Sequence, residues 1–70
     1  MWKVLVVICT LGNPCTLFEE DPIKWYHSEK ECMKAADAKA IDMVGGFQKF
    51  GYVVDSEAHS CLYVVQQNQV

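Results

Sequence analysis

Trp2-Lys3-Val4-Leu5-Val6-Val7-Ile8-Cys9-Thr10 is the stretch that decides the fold. Most of its residues are β-branched or aromatic, types that suit a pleated surface, and it ends before Gly12-Asn13-Pro14, a cluster that favours a turn. The reading is a strand followed by a hairpin loop. Its alternate faces are Trp2, Val4, Val6, Ile8 on one side and Leu5, Val7, Cys9, Leu11 on the other, so both are apolar. One helix covers only one side of a small sheet. The opposite side then has to meet another surface or stay as a wet apolar patch, and a partner or self-association is expected. The competing expectation is that the C-terminal tail folds back over that face.

Working outward, a second strand is expected from Cys15 through Thr16-Leu17-Phe18. The acidic Glu19-Glu20-Asp21 and Pro22 interrupt it before Ile23-Lys24-Trp25-Tyr26. Proline has no N–H to donate, so this strand belongs at a sheet edge or carries a bulge. Ser28 followed by Glu31 has the spacing of a capping box, which places a helix start at Ser28. The apolar positions that follow are Cys32, Ala36, Ala40, Met43 and Phe47, widened by Met33, Ile41 and Val44, as in an amphipathic helix. Ala35, Ala36 and Ala40 are small enough for its backbone to approach a sheet closely. Gly45-Gly46 weakens the helix, which either ends there or continues to Gly51 as a C-cap. Residues 51–66 fit one bent strand or a hairpin, because the polar stretch Asp55 to Ser60 separates Tyr52-Val53-Val54 from Cys61-Leu62-Tyr63-Val64-Val65. Gln66-Gln67-Asn68-Gln69 reads as a frayed end. The fold class expected is α+β: a single domain over residues 1–70, β-β-α-β with an optional further strand, an antiparallel sheet and one helix on one face.

Composition bounds the function. A chain of 70 residues supports one core only, and at this size a domain commonly needs disulfides, a metal or a partner in addition. With 51% hydrophobic and 21% charged residues the chain should fold. Six basic against nine acidic residues give a net charge of −3 and no basic cluster, which argues against nucleic-acid binding. The apolar run at Val4 to Ile8 is too short to span a bilayer, and no membrane association is expected. It also fails as an export signal: the preceding charge is a lone Lys3, no Ala-x-Ala-like site follows, and Ile8 before Cys9 is too large for a lipoprotein-type site.

Cys9, Cys15, Cys32 and Cys61 admit three readings. Two disulfides imply an oxidising compartment or a particle that leaves the cell. A zinc site lacks a C-x-x-C pair and any common finger spacing. Free buried cysteines acting as small apolar groups are the third. If disulfides form, topology favours one pairing. Cys9 and Cys15 flank the first turn at one end of the sheet. The helix starts at the other end, which puts Cys32 near Cys61 as the last strand runs back; that bond closes a long loop worth about 3 to 4 kcal/mol. His27 and His59 raise a Cys–His dyad in principle, but their spacing supports none and both stand beside Ser in polar segments. Glu19-Glu20-Asp21 lacks the alternating oxygen ligands of a calcium loop and reads as a solvated acidic edge. No catalytic residue, cofactor or metal is expected.

The opening Met1-Trp2-Lys3-Val4-Leu5-Val6-Val7-Ile8-Cys9, the Pro14-Cys15 pair, the Ser-led helix carrying Cys32 and the last strand carrying Cys61 resemble small uncharacterised four-cysteine proteins of alphaproteobacteria and their phages. The resemblance spans most of the chain and supports the layout; it brings no activity with it. Gly45-Gly46 and the polar tail depart from it. Together the cysteines, the uncleaved start and the apolar sheet face lead to the expectation of a phage virion accessory protein, such as a capsid decoration or cement subunit or a tail or neck component. Its partner would be a major capsid or tail protein, or further copies of itself in a homo-oligomer. Trp2, Val4, Val6, Phe18, Trp25 and Tyr26 are the candidate interface residues, aromatics being strong anchors. Two other classes predict different chemistry. An inhibitor of a host defence protein, acting in the host cytoplasm, would carry free thiols, and a thiol redox protein would carry one fast-reacting cysteine.

Overall fold

The computed structural model describes residues 1–65, so the reading of Gln66 to Gln69 as a frayed end lies outside the described residues. The element order is β1 (Trp2–Thr10), β2 (Thr16–Glu19), α1 (Glu29–Lys49) and β3 (Val54–Tyr63). The three strands form one antiparallel sheet in the order β2-β1-β3, with the apolar β1 in the centre. The domain is α+β, with one helix packed on one face of the sheet.

β2 stops at Glu19, ahead of a cis peptide bond at Asp21-Pro22. The chain then returns to β1 at a single bridge, where Trp2 and Tyr26 exchange backbone hydrogen bonds of 2.8 Å in each direction. The helix begins as its sequence indicates: the Ser28 hydroxyl accepts from the Glu31 N–H at 3.2 Å. It continues through Gly45-Gly46, and its end is built by Gly51, whose φ of 91° only glycine adopts without strain. There the Gly51 N–H donates to the Gln48 carbonyl at 3.0 Å and the Tyr52 N–H to the Phe47 carbonyl at 3.1 Å. This is a Schellman motif, and the rings of Phe47 and Tyr52, 5.6 Å apart, supply its apolar contact.

Residues 54–63 form one strand, not a hairpin, and the polar Asp55 to Ser60 lie inside it. β1 provides register partners from Trp2↔Tyr63 to Thr10↔Val54, with one irregularity between Cys9 and Thr10. A largely apolar strand at the sheet centre therefore recruits a polar neighbour of weak intrinsic preference.

Side chains alternate along a strand, so the register assigns every residue to a face. Val4, Val6 and Ile8 point to the helix and are buried together with Cys32, Ala36 and Ala40. The three small helix residues let α1 settle closely over β1 and β3. Phe47, partly buried, reaches the β2 side, its ring 5.7 Å from that of Phe18. Cys32 is joined to Cys61 within this core, and Cys9 to Cys15 across the first turn. The structure therefore contains the pairing that the topology argument favours, and no cysteine is free.

Candidate interaction surface

The other face of the sheet carries Lys3, Leu5, Val7 and Cys9 from β1, Leu17 and Glu19 from β2, and Ser56, Ala58, Ser60 and Leu62 from β3. No described helix or strand lies over it. Val7 stands directly between Leu17 and Ala58 at the centre of this face. Leu17 is 59% exposed and Leu62 45%. The result is an aliphatic strip with small hydroxyl side chains along one border and an ion pair, Lys3 with Glu19, on the other.

The six candidate interface residues do not gather on that surface. Val4 and Val6, each 1% exposed, are core residues under α1 and cannot meet a partner. The correction has a simple cause: both faces of β1 are apolar, so composition could not say which one the helix would take, and it takes the face of Trp2, Val4, Val6 and Ile8. Trp2, Phe18 and Tyr26 are half-buried and pack against that same core. Trp2 also meets Tyr63 edge-on, with ring centroids 5.1 Å apart. Trp25 is the exposed one of the six.

Leu5, Val7, Leu17 and Leu62 are the residues that the sequence reading left without a role at an interface. For Leu5 and Val7 the signal was the second face of the β1 alternation; Leu17 and Leu62 join that face only through the strand register. A further exposed apolar group sits at the sheet end that carries the first turn, where the Leu11 N–H donates to the Val53 carbonyl at 2.9 Å. Leu11 and Val53 are both exposed, and Phe50 nearby in sequence is 84% exposed.

The polar candidates are engaged more than the sequence indicates. His27 is exposed, but His59 is half-buried, its Nδ1 2.7 Å from a Glu57 carboxylate oxygen and its Nε2 3.8 Å from Asp37 on the helix. A Cys–His dyad has no thiol available, since all four cysteines are in disulfides. The acidic run is partly neutralised by structure: Glu19 pairs with Lys3, and Glu20 accepts from the Tyr26 hydroxyl at 3.1 Å. Among the described residues, no group of three His, Cys, Asp or Glu is placed to hold a metal ion, and no helix is long and apolar enough to cross a membrane. Comparison with protein-family models, with curated proteins and with solved structures returned no match.

Proposed function

We propose that the protein is a non-enzymatic binding domain that buries its open sheet face against a protein partner, as an accessory subunit of a phage virion. The partner would be a major capsid or tail protein, and the role decoration, cement or neck component. The single observation that carries this reading is the strip of Leu5, Val7, Leu17, Ala58 and Leu62, which no described element covers, on a sheet whose other side is already filled by α1. Leu17 and Leu62 are 59% and 45% exposed, so removing the remainder of each from water would contribute about 1 kcal/mol, roughly half of full burial. The disulfides support a particle that meets oxidising surroundings, since such bonds do not persist against a cytoplasmic thiol pool. They favour neither a cytoplasmic inhibitor, whose cysteines the thiol pool would keep reduced, nor a reactive-thiol protein, which acts through a reduced cysteine.

The test is mass spectrometry of purified particles carrying either the native chain or Leu17→Lys. The native chain is expected in stoichiometric copies, and Leu17→Lys is expected to be lost from particles while keeping its disulfides and circular dichroism. Absence of the native chain from particles contradicts the virion role. Retention of Leu17→Lys contradicts the assignment of the face.

A further inference from the structure

The outer edge of β3 is a long unpaired strand edge, and a groove runs beside it. Met1 and Val64 exchange both backbone hydrogen bonds, Val64 N–H to Met1 carbonyl at 2.8 Å and the Met1 amino group to the Val64 carbonyl at 3.3 Å. Antiparallel pairing alternates, so from there Leu62, Ser60, Ala58 and Ser56 bond inward to β1. The backbone N–H and C=O groups of Glu57, His59, Cys61 and Tyr63 therefore point outward, where no described strand meets them. On the helix side of this edge is a groove of about 420 Å³. Its floor is Ala40, Ile41, Val44 and Gly45, and its rim carries the carboxylates of Asp37 and Glu57. Ile41 is 68% exposed, and a Cβ added at Gly45 would meet nothing within 4 Å.

We infer that this edge takes up an extended basic peptide segment as an added strand. The main-chain groups of β3 supply the hydrogen bonds, and every second side chain of the incoming strand falls over the groove. An aliphatic side chain there covers Ile41 and Val44, and a Lys or Arg two positions along the strand, opposite Glu57, faces the acidic rim. His59 does not serve this role, being half-buried and already set between Glu57 and Asp37. A second copy of the chain is a poorer occupant. It would bring its own Asp37 and Glu57 to the rim, where like charges oppose each other across the strands, and each chain already carries −3. The inference rests on reading the protein as a binding domain, but it concerns a different surface from the open sheet face and does not depend on a virion partner.

The experiment titrates the isotope-labelled full chain with acetyl-Lys-Ser-Val-Ser-Lys-Ser-Val-amide, whose alternate side chains put Lys and Val on one face, and, separately, with the same peptide carrying Glu in place of Lys. NMR amide shifts and hydrogen exchange are read on each, and sedimentation equilibrium on the free chain. The basic peptide is expected to shift and protect the amides of Glu57, His59 and Cys61, with affinity falling on added salt. Asp37→Lys and Glu57→Lys should each weaken it by about tenfold, roughly the loss of one charge-assisted contact. Glu57→Gln, the milder change, should weaken it less, and Leu17→Lys on the open face should leave it unchanged. The inference is overturned by equal binding of the acidic peptide, by no binding of either, by shifts centred on Leu5 and Leu17, or by β3 edge amides already protected in a self-associated free chain. Loss of Leu17→Lys from particles with an intact peptide response would leave the two surfaces independent, as stated.

Discussion

Tyr26 shows how a residue legible only as an aromatic anchor acquires a polar role. Its ring packs against the core and its hydroxyl donates to Glu20, because a phenol moved out of water needs a partner. Burial, then that hydrogen bond, then the charge of Glu20 hold its pKa above the ordinary 10.0. A proton held more tightly in the folded state stabilises it fully below the unfolded pKa and ceases to do so as pH rises through the raised folded value. Spectrophotometric titration should therefore show a tyrosine phase above the ordinary 10.0 that belongs to Tyr26. Tyr26→Phe should remove that late phase and Glu20→Gln should bring it earlier; an unchanged late phase in Tyr26→Phe contradicts the assignment. Sequence spacing could not reveal this pair, since Glu20 and Tyr26 meet only through the turn at Asp21-Pro22. His59 is similar, its partner Asp37 lying on another element.

At the scale of elements, α1 was the most legible. Ser28 and the Cys32, Ala36, Ala40 stripe mark its start and its buried face by local chemistry alone, and the structure uses both, whereas its end stayed open between Gly45-Gly46 and Gly51. Gly45-Gly46 was ambiguous because propensity is weak beside the packing of Val44 and Phe47 on either side. The two glycine sites predict opposite responses in thermal unfolding. Gly46→Ala meets open space in a helix interior and should stabilise by about 0.5 to 1 kcal/mol. Gly51→Ala forces a side chain into the left-handed region and should cost about 1 to 2 kcal/mol. A Gly51→Ala chain that is no less stable than the native one would contradict the Schellman end. β3 was half legible: Cys61-Leu62-Tyr63 reads as a strand, but the polar Asp55 to Ser60 fits one bent strand or a hairpin equally, and pairing with the neighbouring β1 decides for one strand. Its polar residues sit where an edge strand is wet on both sides of its free border.

For the whole molecule, the core is short: among the described residues the buried apolar ones are Val4, Val6, Ile8, Cys32, Ala36 and Ala40. A domain so small leans on its cross-links. Cys32–Cys61 closes a sequence separation of 29 and ties α1 to β3, so replacing both cysteines with Ala should cost about 3 to 4 kcal/mol. Cys9–Cys15 spans a separation of 6 at a tight turn, and its loss should cost about 2 kcal/mol. Reversed magnitudes in equilibrium denaturation would show that the helix is held chiefly by other contacts. The two-sided apolar character of β1 was plain from its sequence. Which side the helix takes was not, since that depends on how Cys32, Ala36 and Ala40 seat against a particular set of valines.

That assignment is also the claim on which the functional reading stands, and two neighbouring residues test it. Val→Thr exchanges a methyl for a hydroxyl at nearly constant shape, so its cost reports whether the site is dry. In equilibrium denaturation of the free chain, Val6→Thr should lose about 2 kcal/mol, whereas Val7→Thr should stay within about 0.5 kcal/mol of the native chain. Equal losses at both positions would mean that the sheet is sealed on its two sides and keeps no face for a partner.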